Sequence, residues 1–262
     1  MVSIASNILS SQAGKTHLFF LGQAGFIIKS KLGTVIGLDL YLSNCVERYD
    51  GFKRLMPNLL HPYEITFDYL VATHAHYDHF DVDSIPFMLS NSTTRMFASE
   101  RCRAEAQRLH IADRSIDYVK VGDIREAKDI QLTFVFCDHG ESAPDALGVI
   151  VQIDEWNLYF TGDTCLRLDK VDEIVADRKI DILVAPINGT FGNLSEAEAV
   201  SLCGAVKPRL IIPSHYWNFA EQHGDPGLFI KLLAEQIPTQ KHLLMMAGEG
   251  VQVGQVVQNY QE

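Results

Sequence analysis

The chain has 262 residues, 47% apolar and 21% charged, which are ordinary globular values with enough length to bury a large core. No run approaches the roughly 18 uninterrupted apolar residues that cross a bilayer, so a membrane-spanning protein is excluded. The net charge of −11, with no Lys/Arg cluster, speaks against nucleic acid as a partner but not against a small anionic substrate, because bound divalent ions add local positive charge.

The N-terminal MVSIASNILSSQAGKTH has no basic segment followed by an apolar one, which makes the cytoplasm the expected compartment. HLFFLGQAGFIIKS reads as two short strands broken at Gly22 to Gly25, with Gly25 suited to a hairpin or bulge, and TVIGLDLYLS as a third. Residues 42–66, with Pro57 and Pro62, read as an irregular loop over one face. In FDYLVATHAHYDHFD a short apolar strand runs straight into a His-rich turn. A helix is expected from about Val82, a strand at Thr94 to Ala98, and a helix in SERCRAEAQRLH capped by Ser99. Strands follow at Ile116 to Val119, Ile130 to Phe136, Leu147 to Ile153 and Leu158 to Thr161, the last two joined by a turn at Asp154 to Trp156.

Beyond Asp163 helix and strand alternate through VDEIVADRK, DILVAPI, SEAEAVSLCGAV, RLIIPSH, GLFIKLLAEQI and HLLMM, and Ser195 with Glu198 forms a capping box. Strands first and βα units later predict an α/β fold of two packed sheets with helices outside. No linker or repeat divides the chain, so residues 1–262 are expected to form one domain. Cys45, Cys102, Cys137, Cys165 and Cys203 are odd in number and widely spread, as in a reducing compartment; Cys165 lies close enough to Asp163 to be a candidate for lining a site.

The strongest chemical signal is T-H-A-H-Y-D-H, Thr73 to His79, where three imidazoles and a carboxylate follow an apolar strand directly. Imidazole and carboxylate are ligands for zinc, manganese or iron, and metal binding offsets the cost of crowding polar groups at the end of a buried strand. One loop cannot complete two coordination shells, so further ligands are needed at other strand ends. His139 after TFVFC, Asp163 after NLYF and His215 after RLII stand where the hypothesis requires them.

H-x-H-x-D-H at His74 to His79, then His139, G-D-T at Asp163 and the strand-end His215 resemble the ligand series of the metallo-β-lactamase superfamily over nearly the whole chain. L-G-Q-A-G-F (Leu21 to Phe26), L-D-L-Y-L-S (Leu38 to Ser43) and P-I-N-G (Pro186 to Gly189) are similar to the branch that includes the L-ascorbate-6-phosphate lactonases. Gln23 and Leu40 depart from that branch, standing where many members have His and Pro. The resemblance implies an αββα sandwich of two mixed sheets with helices outside. It implies two divalent ions, one on His74, His76 and His139, the other on Asp78, His79 and His215, with Asp163 bridging. Asp39 matches the aspartate that buttresses the His-rich loop, as metal-bound imidazoles require. Self-association to a homo-oligomer also fits the resemblance.

Two ions roughly 3.5 to 4 Å apart would lower the pKa of a bound water towards neutrality, so metal-bound hydroxide is the expected nucleophile. Asp78 and Asp163 are the expected catalytic residues, Asp78 orienting the water or handling its proton. The expected reaction is hydrolysis of a small-molecule lactone or ester, a sugar-phosphate lactone included. Tyr41, Asn188, Tyr216, Trp217 and Asn218 are candidate substrate residues because each follows a ligand or strand end, with Arg48, Lys53, Arg54 and Arg167 as the nearest cations for a phosphate. Two other readings stand: a phosphodiesterase or nuclease of the same fold, which would present a basic channel, and a non-enzymatic metal-dependent sensor or redox partner, for which an accompanying flavin domain or iron site would be expected.

Overall fold

The apolar runs at the start of the chain form three antiparallel strands, β1 (His17–Gly22), β2 (Gly25–Lys29) and β3 (Val35–Leu38), in a computed structural model that describes residues 3–258. The turn between the first two carries a register shift between Phe20 and Gly22, and both Gly22 and Gln23 take positive φ there. β4 (Tyr69–Ala72), β5 (Arg95–Ser99) and β6 (Ile116–Val119) extend this sheet in parallel from β3.

The second sheet starts with β7 (Ile124–Ala127), β8 (Ile130–Phe136), β9 (Leu147–Ile153) and β10 (Trp156–Phe160), paired antiparallel. It continues in parallel through β11 (Ile182–Pro186) and β12 (Leu210–Ser214). A last strand, β13 (Gly250–Gln252), returns to the first sheet beside β1. Every residue of β11 and β12 is buried, which is why their sequences are continuous apolar runs rather than alternating ones.

The sheets pack face to face, Phe26 meeting Phe160 at 5.4 Å and Phe97 meeting Phe134 at 6.1 Å between ring centroids. Enclosing a side chain such as Phe26 or Phe134 stabilises the sandwich by about 1.5–3 kcal/mol each. Helices cover the outer faces. Glu196–Val206 begins with the expected capping box at Ser195, and Pro226–Gln236 packs beside it. A second apolar cluster, including Ile8, Phe67, Phe80 and Met96, fills the space outside the first sheet. Among the described residues, no helix is long and apolar enough to cross a membrane.

Several local expectations are corrected. Ser99 does not cap a helix: the parallel ladder runs through it to Val119, and the helix starts later, at Cys102–Arg108. The helix expected from Val82 shrinks to Ile85–Met88, because the Asp81 carboxylate takes the backbone N–H groups of Asp83 and Ser84 and holds the preceding turn. HLLMM forms no strand, only a bridge from His242 to Ile211. The supposedly irregular 42–66 region contains a helix at Cys45–Asp50, and the helix Ile4–Ser10, capped by Ser3, had no counterpart in the pattern.

Candidate metal centre

All seven candidate ligands lie just beyond the C-terminal ends of strands that run in the same sense. His74, His76, Asp78 and His79 follow β4, His139 follows β8, Asp163 follows β10 and His215 follows β12. Parallel register between β10, β11 and β12 is what brings Asp163 and His215 to one level. The turns are tight. Gly162 takes φ +65°, and a Cβ there would stand 2.5 Å from the Leu147 carbonyl oxygen, so only glycine lets the chain deliver Asp163 at this point. Asp39 and His215 take positive φ without being glycine, strain of about 1–3 kcal/mol each that the surrounding packing holds in place.

Three overlapping sets of donors result: His74, His76 and His139; His74, His79 and Asp163; and Asp78, His79 and His215, each with its donor atoms within 4.8 Å of one another. Asp163 lies between the outer two, its Oδ1 3.3 Å from His79 Nε2 and its Oδ2 3.1 Å from His215 Nε2 and 3.9 Å from His139 Nε2. His76 Nδ1 faces His74 Nε2 at 2.9 Å and His139 Nε2 at 3.2 Å, so three ring nitrogens converge on one point. The buried Nε2 of His79 makes no hydrogen bond although Asp163 and Asp78 carboxylate oxygens lie 3.3 and 3.7 Å away. A donor set of imidazoles and carboxylates with converging ring nitrogens, that of His79 unpartnered, fits borderline divalent cations.

The electrostatics divide the cluster. Burial keeps His74, His76 and His139 below the ordinary imidazole value, with His79 adding to the effect at His74, so these rings are neutral and ready to ligate. Burial also opposes protonation of His79 and His215, but Asp163 and its neighbouring carboxylates outweigh it; His79 is raised well above the usual value and His215 to about 9. Burial alone would raise Asp78 and Asp163, whereas His79 and His215 hold both well below the usual carboxylate range.

In the metal-free protein the raised imidazoles stabilise the fold fully below their unfolded value of 6.5; the His215 contribution is lost as pH rises through about 9, and that of His79 as pH rises through its own raised value. A cation needs the same nitrogens deprotonated. Metal affinity is therefore expected to rise with pH through about 9, where His215 gives up its proton, with protons released on binding at pH 7. Titration calorimetry in buffers of different ionisation enthalpy counts those protons, and a count of zero would contradict the arrangement.

The cluster forms the floor of a cavity of about 590 Å³. His76, Asp78, His139 and Asp163 open into it, Tyr77 and Gln222 stand beside them, and Val46, Phe52, Ala75, Ala104 and Phe191 make an apolar wall. Asp39 sits behind the His-rich loop, accepting hydrogen bonds from Thr73 N and Thr73 Oγ1 at 2.8 Å each, with His79 Nδ1 3.0 Å away.

The candidate substrate residues stand elsewhere. Tyr41 is buried against Phe219 with the Arg54 guanidinium over its ring, because its strand end turns into the outer core rather than the cavity. Asn188 is buried and bonds Thr190 in its own loop. Tyr216, Trp217 and Asn218 line a separate apolar cavity with Phe20 and Met245, since the chain turns away at positive φ in His215 and Trp217. Cys165 is not among the cavity residues. Arg48 pairs with Asp83, and Arg167 with Asp138 and Asp169.

Three contributors had no role assigned to them from the sequence. Asn193 donates to Asp163 Oδ2 at 2.8 Å, Gln23 donates to Asp78 Oδ2 at 2.7 Å, and Arg101 reaches the cavity rim. Asparagine in a loop is too common to single out without a partner in view, and Gln23 stood out only as a departure from the lactonase branch, not as a partner of Asp78.

The family described as a beta-lactamase superfamily domain matches residues 17–215, from the start of β1 to the last candidate ligand, and the chain belongs to it. A UPF0173 metal-dependent hydrolase of Pyrococcus furiosus is 29% identical over 243 residues, covering 89% of this chain and 98% of its own. Igni18, a metallo hydrolase of Ignicoccus hospitalis, shares the fold with a TM-score of 0.71 at 20% identity, over 90% of this chain and 97% of its own. The isothiocyanate hydrolase from Delia radicum gut bacteria does so with a TM-score of 0.70 at 18% identity, over 90% and 98%. The architecture is thus the metallo-β-lactamase fold of two mixed sheets with helices outside, and the class is that of the superfamily's metal-dependent hydrolases.

Proposed function

We propose that the protein hydrolyses a small-molecule lactone or ester with two divalent ions held in this cluster. The observation that carries the reading is the convergence of five imidazoles and two carboxylates at the floor of an open cavity, with Asp163 between the two outer sets. His74, His76 and His139 would hold one ion, Asp78, His79 and His215 the other, and Asp163 both. Bound there, the ions supply Lewis acidity and an activated water.

The chain's own groups do the rest. Gln23 donates to Asp78 Oδ2, the oxygen that faces His79 and His215, and so fixes the carboxylate that would orient the attacking water and take its proton. Hydrolysis joins the water oxygen to the acyl carbon and breaks the bond to the leaving oxygen, which receives the proton. The apolar wall of Phe52, Phe191 and Val46 excludes bulk water from the acyl group.

The cavity favours a neutral substrate over a sugar phosphate. Arg101 is the cationic side chain on its wall, and Asp145 and the Ser142 carbonyl already engage it. Asp50 and Glu105 add negative charge to the same wall.

Metal analysis followed by a panel tests the reading: dihydrocoumarin, p-nitrophenyl butyrate, an aryl isothiocyanate and bis-p-nitrophenyl phosphate, each with and without chelator. Lactone or ester turnover that chelation removes and zinc, manganese or iron restores is the expected result. Turnover of the phosphodiester alone, or turnover indifferent to chelation, would replace this reading with another.

A further inference from the structure

Two glutamines connect Asp78 to the cavity wall. Gln23 is fully buried in the turn after β1, and its Nε2 lies 2.7 Å from Asp78 Oδ2 and 2.6 Å from Gln222 Oε1. The carboxylate settles which end of the Gln23 amide faces it, because an amide oxygen that close would be repelled. The NH2 group there has two hydrogens, and both are used, one on each acceptor. His215's ring nitrogens, 3.0 and 3.2 Å from the same Nε2, therefore receive neither hydrogen.

The second of these bonds fixes Gln222 in turn. Its Oε1 accepts from Gln23, so its own NH2 must point the opposite way. Gln222 is half-buried on the cavity wall, and among the described residues its NH2 has no acceptor. A negative charge at Asp78 thus orients, through two amides in series, a free donor beside the metal cluster.

We propose that Gln222 is a catalytic residue whose Nε2 donates a hydrogen bond to the carbonyl oxygen of the bound lactone or ester. The donor selects an acceptor oxygen and rejects an amine at that position. Charge gathers on the carbonyl oxygen as water attacks, so the bond strengthens in the transition state and acts on kcat more than on KM. This role rests on the hydrolase reading above and gives its substrate a defined orientation.

Two variants separate donating from bracing. Gln222→Glu keeps an acceptor for Gln23 but has no N–H to give at neutral pH, while Gln222→Leu has neither. Both are expected to retain metal and to lose about a hundredfold in kcat on dihydrocoumarin with KM little changed. Wild-type turnover in Gln222→Glu, or losses in both variants that only track lost metal, would overturn the proposal.

A second readout needs no turnover and so distinguishes failure here from failure of the hydrolase reading. In 15N-labelled metal-loaded protein, the Gln222 side-chain signal, identified by its disappearance in Gln222→Glu, should shift on titration with dihydrocoumarin. A signal that stays in place at saturating probe would overturn the proposal whatever the panel shows.

Discussion

Replacing Asp163 by alanine is expected to lower hydrolysis by at least about a hundredfold and to strip metal from the protein, since even partners one shell further out cost ten- to a hundredfold. The expectation follows from position. Asp163 puts one oxygen towards His79 and the other towards His215 and His139, so both halves of the cluster lose their shared carboxylate at once. It is also the main charge that keeps His79 and His215 protonated before metal arrives. Asp163→Asn is the sharper variant, because it keeps the volume and an acceptor for Asn193 Nδ2 while removing the charge. Elemental analysis beside steady-state rates reads both effects, with circular dichroism to confirm the fold. Full activity in either variant would mean that the cluster is not the reacting centre.

What the sequence disclosed follows a physical pattern. A metal ligand set must be assembled from strand ends, and an imidazole or carboxylate just after an apolar run is visible in one dimension; that is why His139, Asp163 and His215 could be named although they lie far apart in the chain. Parallel strands buried on both faces are equally visible, as in DILVAPI and RLIIPSH. The other residues that line the cavity were not, because they depend on where the chain turns after the ligand. Tyr216 to Asn218 follow His215 in sequence, yet positive φ at His215 and Trp217 sends them to another cavity. Gln222, from the same loop, comes back to the cluster. Short elements of three to seven residues, such as β13 and the helix Ile4–Ser10, leave no room for a period to show. Ser99 misled for a related reason: a residue that suits a helix cap also ends a strand, and only the ladder to Val119 decides.

Asp39 gives the second large effect, and its two consequences separate by substitution. Its carboxylate accepts from both Thr73 N and Thr73 Oγ1, which fixes the start of the His-rich loop, and lies 3.0 Å from His79 Nδ1. A proton held on Nδ1 by that contact leaves the Nε2 lone pair for a cation. Asp39→Ala is expected to weaken metal binding ten- to about a hundredfold. It should also destabilise the protein by about 1–3 kcal/mol, because the buried Thr73 N–H loses its acceptor. Asp39→Asn should separate the two. Asparagine tolerates the positive φ at this position and still accepts from Thr73, so most of the stability returns. Its amide cannot hold the His79 proton as a carboxylate does, so metal binding stays weak. Competition against a chromophoric chelator and urea melts measure the two quantities independently. Tight metal binding in Asp39→Ala would reduce Asp39 to a turn residue, whereas weak binding in a stable Asp39→Asn protein shows that the carboxylate acts on the metal through the ring of His79.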